Sequence, residues 1–441
     1  MMGVTNPFKV SYTLFVLFPV ALILFYYVPL PFITSQIKLP YSSISTPLMV
    51  SVRASSNSSD IIEDSNKNSS CDYSNGKWIH DQRGPLYNGT SKYCKMKKNQ
   101  NCIANGRPNK EYLYWRWKPN GNDDCNLPRF DPRTFLQLIR NRHVAFVGDS
   151  VSRNQIESLI CMLGSNNDDN SSKPKRLYHK GSRKWNIVSH NANLSFYWSP
   201  FLVRGDMRSK NNNGPHYNKI YLDHVNERWS RDLDEMDMIV ISLGHWFDVP
   251  SIYYESGSIS SCLKLPQLGD CNNHHVNDFY DPLRKALRVA LDSIIEAKAS
   301  KNEKVDVIVR TYSPSHFQGD WNKGGSCLDD KPYGGEKQVE GMDGKIRRIE
   351  MEEVEIAKEK AKEFGGLIRL EIMDVTKLAL LRPDGHPGPY MNPYPFAKGV
   401  PEHVQNDCVH WCLPGPIDTW NEILLEIVKK LVQHHHQKAE Q

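Results

Sequence analysis

Val144-Ala145-Phe146-Val147-Gly148-Asp149-Ser150 is an apolar run that breaks at a glycine and ends on a serine, just ahead of the helically spaced Ile156, Leu159, Ile160 and Leu163. The run is short enough for a strand starting at His143, and the spacing after it predicts a helix over Ser152 to Leu163. A strand that turns into a helix at a serine can present its hydroxyl for nucleophilic attack. The same cadence recurs downstream. Met238-Ile239-Val240-Ile241-Ser242 ends in Gly244-His245-Trp246, and Val305-Asp306-Val307-Ile308-Val309 ends in Thr311-Tyr312-Ser313. Strands apolar throughout are those buried on both faces of a parallel sheet. Between these two lies an amphipathic helix from about Val276 to Ala299, and a charged helix over Ile349 to Phe364 runs into a strand over Leu367 to Met373. A last helix spans about Ile417 to Val432. The alternation predicts an α/β fold with a doubly wound, mostly parallel sheet and helices on both faces. Function in such sheets gathers at the carboxyl ends of strands, where Ser150 sits.

A serine hydroxyl needs a base. Asn406-Asp407-Cys408-Val409-His410-Trp411-Cys412 offers an imidazole, a carboxylate three residues before it, and a cysteine on each side of it. His410 would take the proton, and Asp407 would fix its tautomer and steady its charge. Alone, Asp-x-x-His is more often a surface ion pair, and Asp149 or Ser150 alone is more often a helix cap. Cysteines that tether the loop would hold His410 to a narrow geometry. Zinc on Cys408, His410 and Cys412 is the rival; it is set aside because no matching second cysteine pair exists, so no metal is expected. Asp384 and His386 form a second acid-base pair, but the surrounding Gly and Pro favour a shaped loop that contacts substrate. The helix over Glu350 to Lys362 reads as a solvated charged face, and His434-His435-His436 as a solvated tail.

Composition narrows the classes. The formal charge of +5, from 55 basic and 50 acidic residues among 441, is too mild for nucleic acid, and no Arg/Lys stripe interleaves with aromatics. Ten tryptophans and twenty tyrosines would suit sugar rings, although aromatics more often serve cores. Val10 to Ile37 carries no charge and lacks a small-x-small cleavage site, so a signal anchor over 10–33 is expected, with 1–9 cytoplasmic. All ten cysteines follow it, as do the sequons at Asn57, Asn68, Asn88, Asn170 and Asn193, which fits an oxidising lumen. A Ser/Asn/Asp-rich stem over 34–70 follows, then a Cys/Trp-rich subdomain over 71–130 centred on Trp115-Arg116-Trp117, the catalytic domain over 131–433 and a tail over 434–441.

Gly148-Asp149-Ser150 with Arg153-Asn154, then Gly244-His245-Trp246, then Asp407 to Gly415 with Asp418-x-Trp420-Asn421, resemble the plant trichome-birefringence-like family of polysaccharide O-acetyltransferases. The likeness runs from about Cys71 to Leu431, and Arg310 to Phe317 with Arg382 to Tyr390 look most like the xyloglucan branch. It implies a type II Golgi membrane protein with an SGNH/GDSL-hydrolase-like fold, Ser150 as nucleophile, His410 as base and Asp407 as its partner. The implied chemistry transfers acetyl, through an acetyl-serine, to a cell-wall glycan, with the side-chain galactose of xyloglucan favoured. No bound cofactor is implied. The donor is acetyl-CoA or an acetylated intermediate supplied by another membrane protein. Where the wider SGNH pattern has an oxyanion-binding asparagine, His245 follows Gly244; the remaining candidates are the Ser150 amide, in the Gly148-Asp149-Ser150 turn, and the Gly244 amide, aided by Arg153 or Asn154. His245 and Trp246 then line the sugar site, or Trp246 is ordinary packing. The family pattern also implies disulfides Cys71–Cys125, Cys94–Cys161, Cys102–Cys412 and Cys327–Cys408, leaving Cys262 with Cys271. A carbohydrate acetylesterase using the same triad, and a non-catalytic glycan-binding protein of the secretory pathway, remain as alternatives.

Overall fold

The computed structural model describes residues 71–439 apart from 90–93, 122–124, 166–169, 180–181, 209–214, 321–323, 328 and 401–402. The expected anchor, the stem, Asn57 and Asn68 lie outside the described residues. Among the described residues no helix is long and apolar enough to cross a membrane.

The N-terminal subdomain is built on strands β1 (Gly76–His80) and β2 (Trp115–Pro119), paired antiparallel. Trp78 and Trp117 meet edge to face at 5.5 Å. A Cβ on Gly76 would lie 2.4 Å from the Lys118 carbonyl, so only glycine lets the two strands close here.

The main body follows. Its strands are β3 (His143–Gly148), β4 (Lys175–His179), β5 (Ser182–Ile187), β6 (Ala192–Trp198), β7 (Val203–Asp206), β8 (Asn218–Val225), β9 (Met238–Ser242), β10 (Ser251–Glu255), β11 (Ser258–Leu263), β12 (His275–Val276), β13 (Val305–Arg310) and β14 (Ile368–Met373). Its helices are α1 (Pro132–Leu138), α2 (Ser150–Gly164), α3 (Glu227–Ser230), α4 (Tyr280–Ser300), α5 (Gly341–Lys362), α6 (Thr376–Leu380) and α7 (Asp418–Ala439). The central sheet has seven strands in the order β14-β13-β9-β3-β6-β5-β4. Neighbours from β14 to β6 run parallel, and β5 and β4 extend the sheet antiparallel.

Alternation along β3 explains the two layers. Val144 and Phe146 join a core with Phe135 of α1, Ile156 and Leu159 of α2, and Leu424 and Val428 of α7. Ala145 and Val147 join the other, with Leu283 and Leu287 of α4 and Ile346 and Val354 of α5. Successive strand residues point to opposite faces, so a run apolar at every position must be covered twice. Each fully buried aliphatic or Phe side chain contributes about 1.5–3 kcal/mol.

Several boundaries differ from the sequence reading. The helix expected from Val276 begins at Tyr280, because Val276 pairs with Leu263 and the Asp278 carboxylate accepts from the Tyr280 amide. The charged helix starts at Gly341, and its face is not wholly solvated: Glu350 and Glu353 are buried. Glu353 accepts from Arg284 and Arg288 of α4, which neutralise it where the helices pack. Strands β4 to β8 and β10 to β12 went unrecognised, since their mixed pattern belongs to half-covered sheets. Five of them form a second sheet in the order β12-β11-β10-β8-β7, stapled by Cys262–Cys271.

Candidate active site

Read along the chain, the five parallel strands of the main sheet take the order 2-1-3-4-5, which reverses between β3 and β9. At such a switch point the loops diverge and leave a crevice. Register places Gly148, Ser242 and Trp198 abreast at its edge. A Cβ on Gly148 would fall 2.4 Å from the Ser242 carbonyl, so glycine is what lets β3 and β9 run side by side into the turn.

Ser150 opens α2 and is half-buried. The capping is done by Asp149, whose Oδ1 accepts from the Val151 (2.9 Å) and Ser152 (3.3 Å) amides. Ser150 is thereby relieved of that task, and among the described residues its hydroxyl has no partner.

Asp407 and His410 share one short loop. Asp407 Oδ1 accepts from the Val409 (3.2 Å) and His410 (2.9 Å) amides, and Oδ2 lies 2.8 Å from His410 Nδ1. Burial pushes the Asp407 carboxyl up, but the adjacent His410 and these N–H donors outweigh it and hold it down to about 2. With Nδ1 held, Nε2 is the nitrogen that could accept a proton, and it is buried without a hydrogen-bond partner among the described residues. Cys408 is joined to Cys327 and Cys412 to Cys102, so neither sulfur is a thiolate available to a metal. Cys71–Cys125 and Cys94–Cys161 staple the subdomain, the second of them to α2.

Two features the sequence did not reveal hold this loop to its surroundings. Asn154 exchanges two hydrogen bonds with the Trp411 backbone, 2.7 and 3.2 Å, which binds the residue after His410 to the second turn of α2. Arg107 of the N-terminal subdomain donates to the His386 (2.9 Å) and Asp384 (2.7 Å) carbonyls. Asn154 is therefore fully buried and committed to Trp411, and is not available as an oxyanion donor. Asp384 and His386 likewise do not form an acid-base pair or meet substrate. Both are buried; Asp384 takes both forks of Arg382, while His386 donates to the His410 carbonyl and stacks on Trp411 at 4.2 Å. The Asp418 and Asn421 side chains brace α2 through Ser158.

The end of β6 and the loop after β9, which flank the end of β3, carry the remaining candidates. His245 Nδ1 is 3.1 Å from the Tyr312 hydroxyl, and burial lowers this imidazole to about 4, so it is neutral near neutrality. Gly244 has φ +139°, and a Cβ there would strike the Tyr312 ring at 2.4 Å. Trp246 is half-buried and meets Trp198 edge-on at 5.8 Å. Arg153 sits over Trp198, 5.8 Å from the ring, and lines a cavity of about 270 Å³ with Ser182, Arg183, Phe196 and Trp198. Trp198 and this cavity were missed because β6 alternates polar and apolar residues and the wall forms only when it pairs with β5. Among the described residues no cluster of His, Cys, Asp and Glu is arranged to hold a metal.

Comparison with known proteins accords with this arrangement. Residues 127–427 match the model of the GDSL/SGNH-like acyl-esterase family found in Pmr5 and Cas1p, and residues 69–126 match the PMR5 N-terminal domain. The chain is 51% identical over 429 residues to Xyloglucan O-acetyltransferase 1 of Populus trichocarpa, covering 96% of this chain and 93% of the relative. It is 53% identical over 367 residues to Xyloglucan O-acetyltransferase 2 of the same species, covering 82% of each. Protein trichome birefringence-like 24 of Arabidopsis thaliana is 38% identical over 367 residues, 81% of each chain. This chain belongs to the trichome birefringence-like family. For a trichome birefringence-like protein the split at residue 126 is informative: Arg107 and Cys102 lie in the N-terminal part yet hold loops of the acyl-esterase part. The two parts build one site.

Proposed function

We propose that this chain is an O-acetyltransferase that moves acetyl groups onto hydroxyls of xyloglucan, with the side-chain galactose as acceptor. The observation that carries the reading is the 2.8 Å Asp407–His410 contact, on a loop that Asn154 binds to the helix opened by Ser150; it leaves His410 Nε2 without a hydrogen-bond partner among the described residues. The names of two of these relatives supply the acceptor.

In this reading Ser150 Oγ attacks the acetyl carbonyl while His410 Nε2 takes its proton. The Ser150 and Gly244 amides, with Arg153, receive the negative charge on the carbonyl oxygen. His410 returns the proton to the leaving group, and acetyl-Ser150 remains. A sugar hydroxyl then loses its proton to His410, attacks the ester carbon and departs acetylated as the bond to Ser150 Oγ breaks, and His410 returns the proton to Oγ. The acceptor rests against Trp198 and Trp246, whose faces suit a sugar ring. The donor is acetyl-CoA or an acetylated intermediate handed over by another membrane protein. The enzyme is a single-pass type II Golgi protein with its catalytic part luminal.

The description of the matching acyl-esterase family favours one second reading, in which water replaces the sugar. Mass spectrometry of the purified protein with acetyl donor and xyloglucan oligosaccharides, beside Ser150→Ala, separates the two. Acetylated oligosaccharide that vanishes in the variant, and acetyl trapped on Ser150 without acceptor, supports transfer. Free acetate alone supports the esterase, and neither product with any glycan supports a binding protein.

A further inference from the structure

His316 and His386 lie behind the catalytic loop in a row of contacts that no step above uses. His386 Nδ1 is 2.7 Å from the His410 carbonyl oxygen, His386 Nε2 is 2.7 Å from His316 Nδ1, and His316 Nε2 is 2.9 Å from the Leu380 carbonyl oxygen. A carbonyl only accepts, so the two outer nitrogens must both carry protons. The central contact needs a third. Two neutral imidazoles own one N–H each, so a neutral pair makes two of these contacts and leaves the remaining one as facing lone pairs. All three are satisfied together only when the pair holds one extra proton between His316 Nδ1 and His386 Nε2.

We propose that His316 and His386 are a proton-sharing pair that positions His410, tightening the catalytic loop when it takes up a proton. The role rests on the reading of His410 as the base. His386 reaches it directly, through the carbonyl of the same residue whose imidazole does the chemistry. Both rings are buried, at 7% and 3% exposure, so water cannot relieve the unmatched contact of the neutral form. The face of Trp411 stacked on His386 suits a shared positive charge.

The charged groups around the pair set the direction of its titration. Asp384 and Asp329 favour charge on His316, and Lys337 opposes it. Asp407 favours charge on His386, and His410 opposes it. Asp384 is already matched by Arg382, Asp407 by His410, and Arg107 adds a positive group on the His386 carbonyl. Burial outweighs the favourable charges and pushes both imidazoles below their usual value, so the extra proton arrives on the acid side of neutrality. As the pH rises the pair loses it, and one link between Leu380 and His410 opens.

The test uses the full chain in detergent micelles, with ¹⁵N-labelled histidine, followed by proton NMR from about pH 8 to about pH 3, a range that passes the value of about 4 to which burial lowers His316. The amide of His316→Gln does not titrate and can donate to His386 Nε2 without a solvent proton, so this variant keeps the link to His386 and loses the titration. A far-downfield N–H resonance should grow in the wild type as pH falls and be missing from His316→Gln. In transfer assays His316→Gln should match the wild type at the acid end and depend less on pH above it. His316→Leu should lose about 10²-fold throughout, as a displaced base would. The proposal is overturned if no such resonance exists at any pH in the range, or if the His316→Gln profile superimposes on the wild type. The resonance does not require turnover: its presence in a protein that transfers no acetyl would reject the acetyltransferase reading and uphold the pair.

Discussion

Asn154 and Trp411 hold each other by two hydrogen bonds, the Trp411 amide donating to Oδ1 (2.7 Å) and Nδ2 donating to the Trp411 carbonyl (3.2 Å). One partner stands a turn after Ser150 and the other directly follows His410, so the clamp sets the distance between the proposed nucleophile and the proposed base. Asn154→Ala would leave two buried backbone groups unmatched, at a cost of about 1–3 kcal/mol each, and a shift of about 1 Å in His410 would cost about 10²-fold in kcat. Asn154→Asp keeps the acceptor and should lose less stability. Thermal melts read beside acetyl-transfer rates check this; normal kcat in a destabilised Asn154→Ala would refute the clamp.

Asp407→Asn should lower kcat by about 10⁴-fold while leaving acceptor KM nearly unchanged, because the amide would favour the wrong His410 tautomer. The wild-type carboxyl is held down to about 2, so the stability from its pairing is present above about 3.8 and lost only as pH falls toward about 2. The acid limb of the rate profile should therefore not follow Asp407. An inflection that disappears in Asp407→Asn while activity persists would contradict this.

Reduction should stop catalysis before it unfolds the sheet. Cys327–Cys408 and Cys102–Cys412 close chain separations of 81 and 310 residues, and both end on the loop that carries His410. Each stabilises by about 2–4 kcal/mol, while the two layered cores are built without them. Activity and far-ultraviolet circular dichroism followed together during titration with a thiol should separate, with activity lost first. Full activity in the wholly reduced protein would remove the tethers from the argument.

Glu350 gives the protein an alkaline weakness. Burial raises its carboxyl to about 8 against an ordinary 4.5, although it accepts from the Tyr312 amide at 2.7 Å. A folded value above the unfolded one means that its contribution is full below about 4.5 and is lost as pH rises through about 8. His245, lowered by burial to about 4, acts the other way: its contribution is present above about 6.5 and lost as pH falls toward about 4. Glu350→Gln should flatten the fall in Tm between about pH 5 and about pH 8 and leave the acid side unchanged. Identical slopes for variant and wild type would overturn this assignment.

Asn193 is a sequon that the fold closes. It lies within β6, paired to His143 on one side and Asn186 on the other, with its side chain accepting from Asn186 Nδ2 at 3.0 Å. Asn88 and Asn170 are exposed. Glycopeptide mass spectrometry of the folded protein should find Asn193 bare, and a glycan there would mean that β5 and β6 do not pair as described.

Apolar strands and their order in the chain sufficed for the α/β class, because a strand buried on both faces has to be apolar at every position, as Val144 to Val147 are. The Asp407–His410 contact was legible for a similar reason: the two are neighbours in sequence, and three residues is a reach that one turn of chain can close. What was not legible depends on partners far along the chain. Glu350 and Glu353 look solvated until α4 and β13 pack over them, and His386 looks like a substrate ligand until His316 and the His410 carbonyl come within 2.7 Å of it. The clamp between Asn154 and Trp411 spans 257 residues, and nothing local marks either end. Local sequence determined which groups could do the chemistry. Only the tertiary structure decided which polar side chains would be buried, since that follows from where separate strands and helices meet.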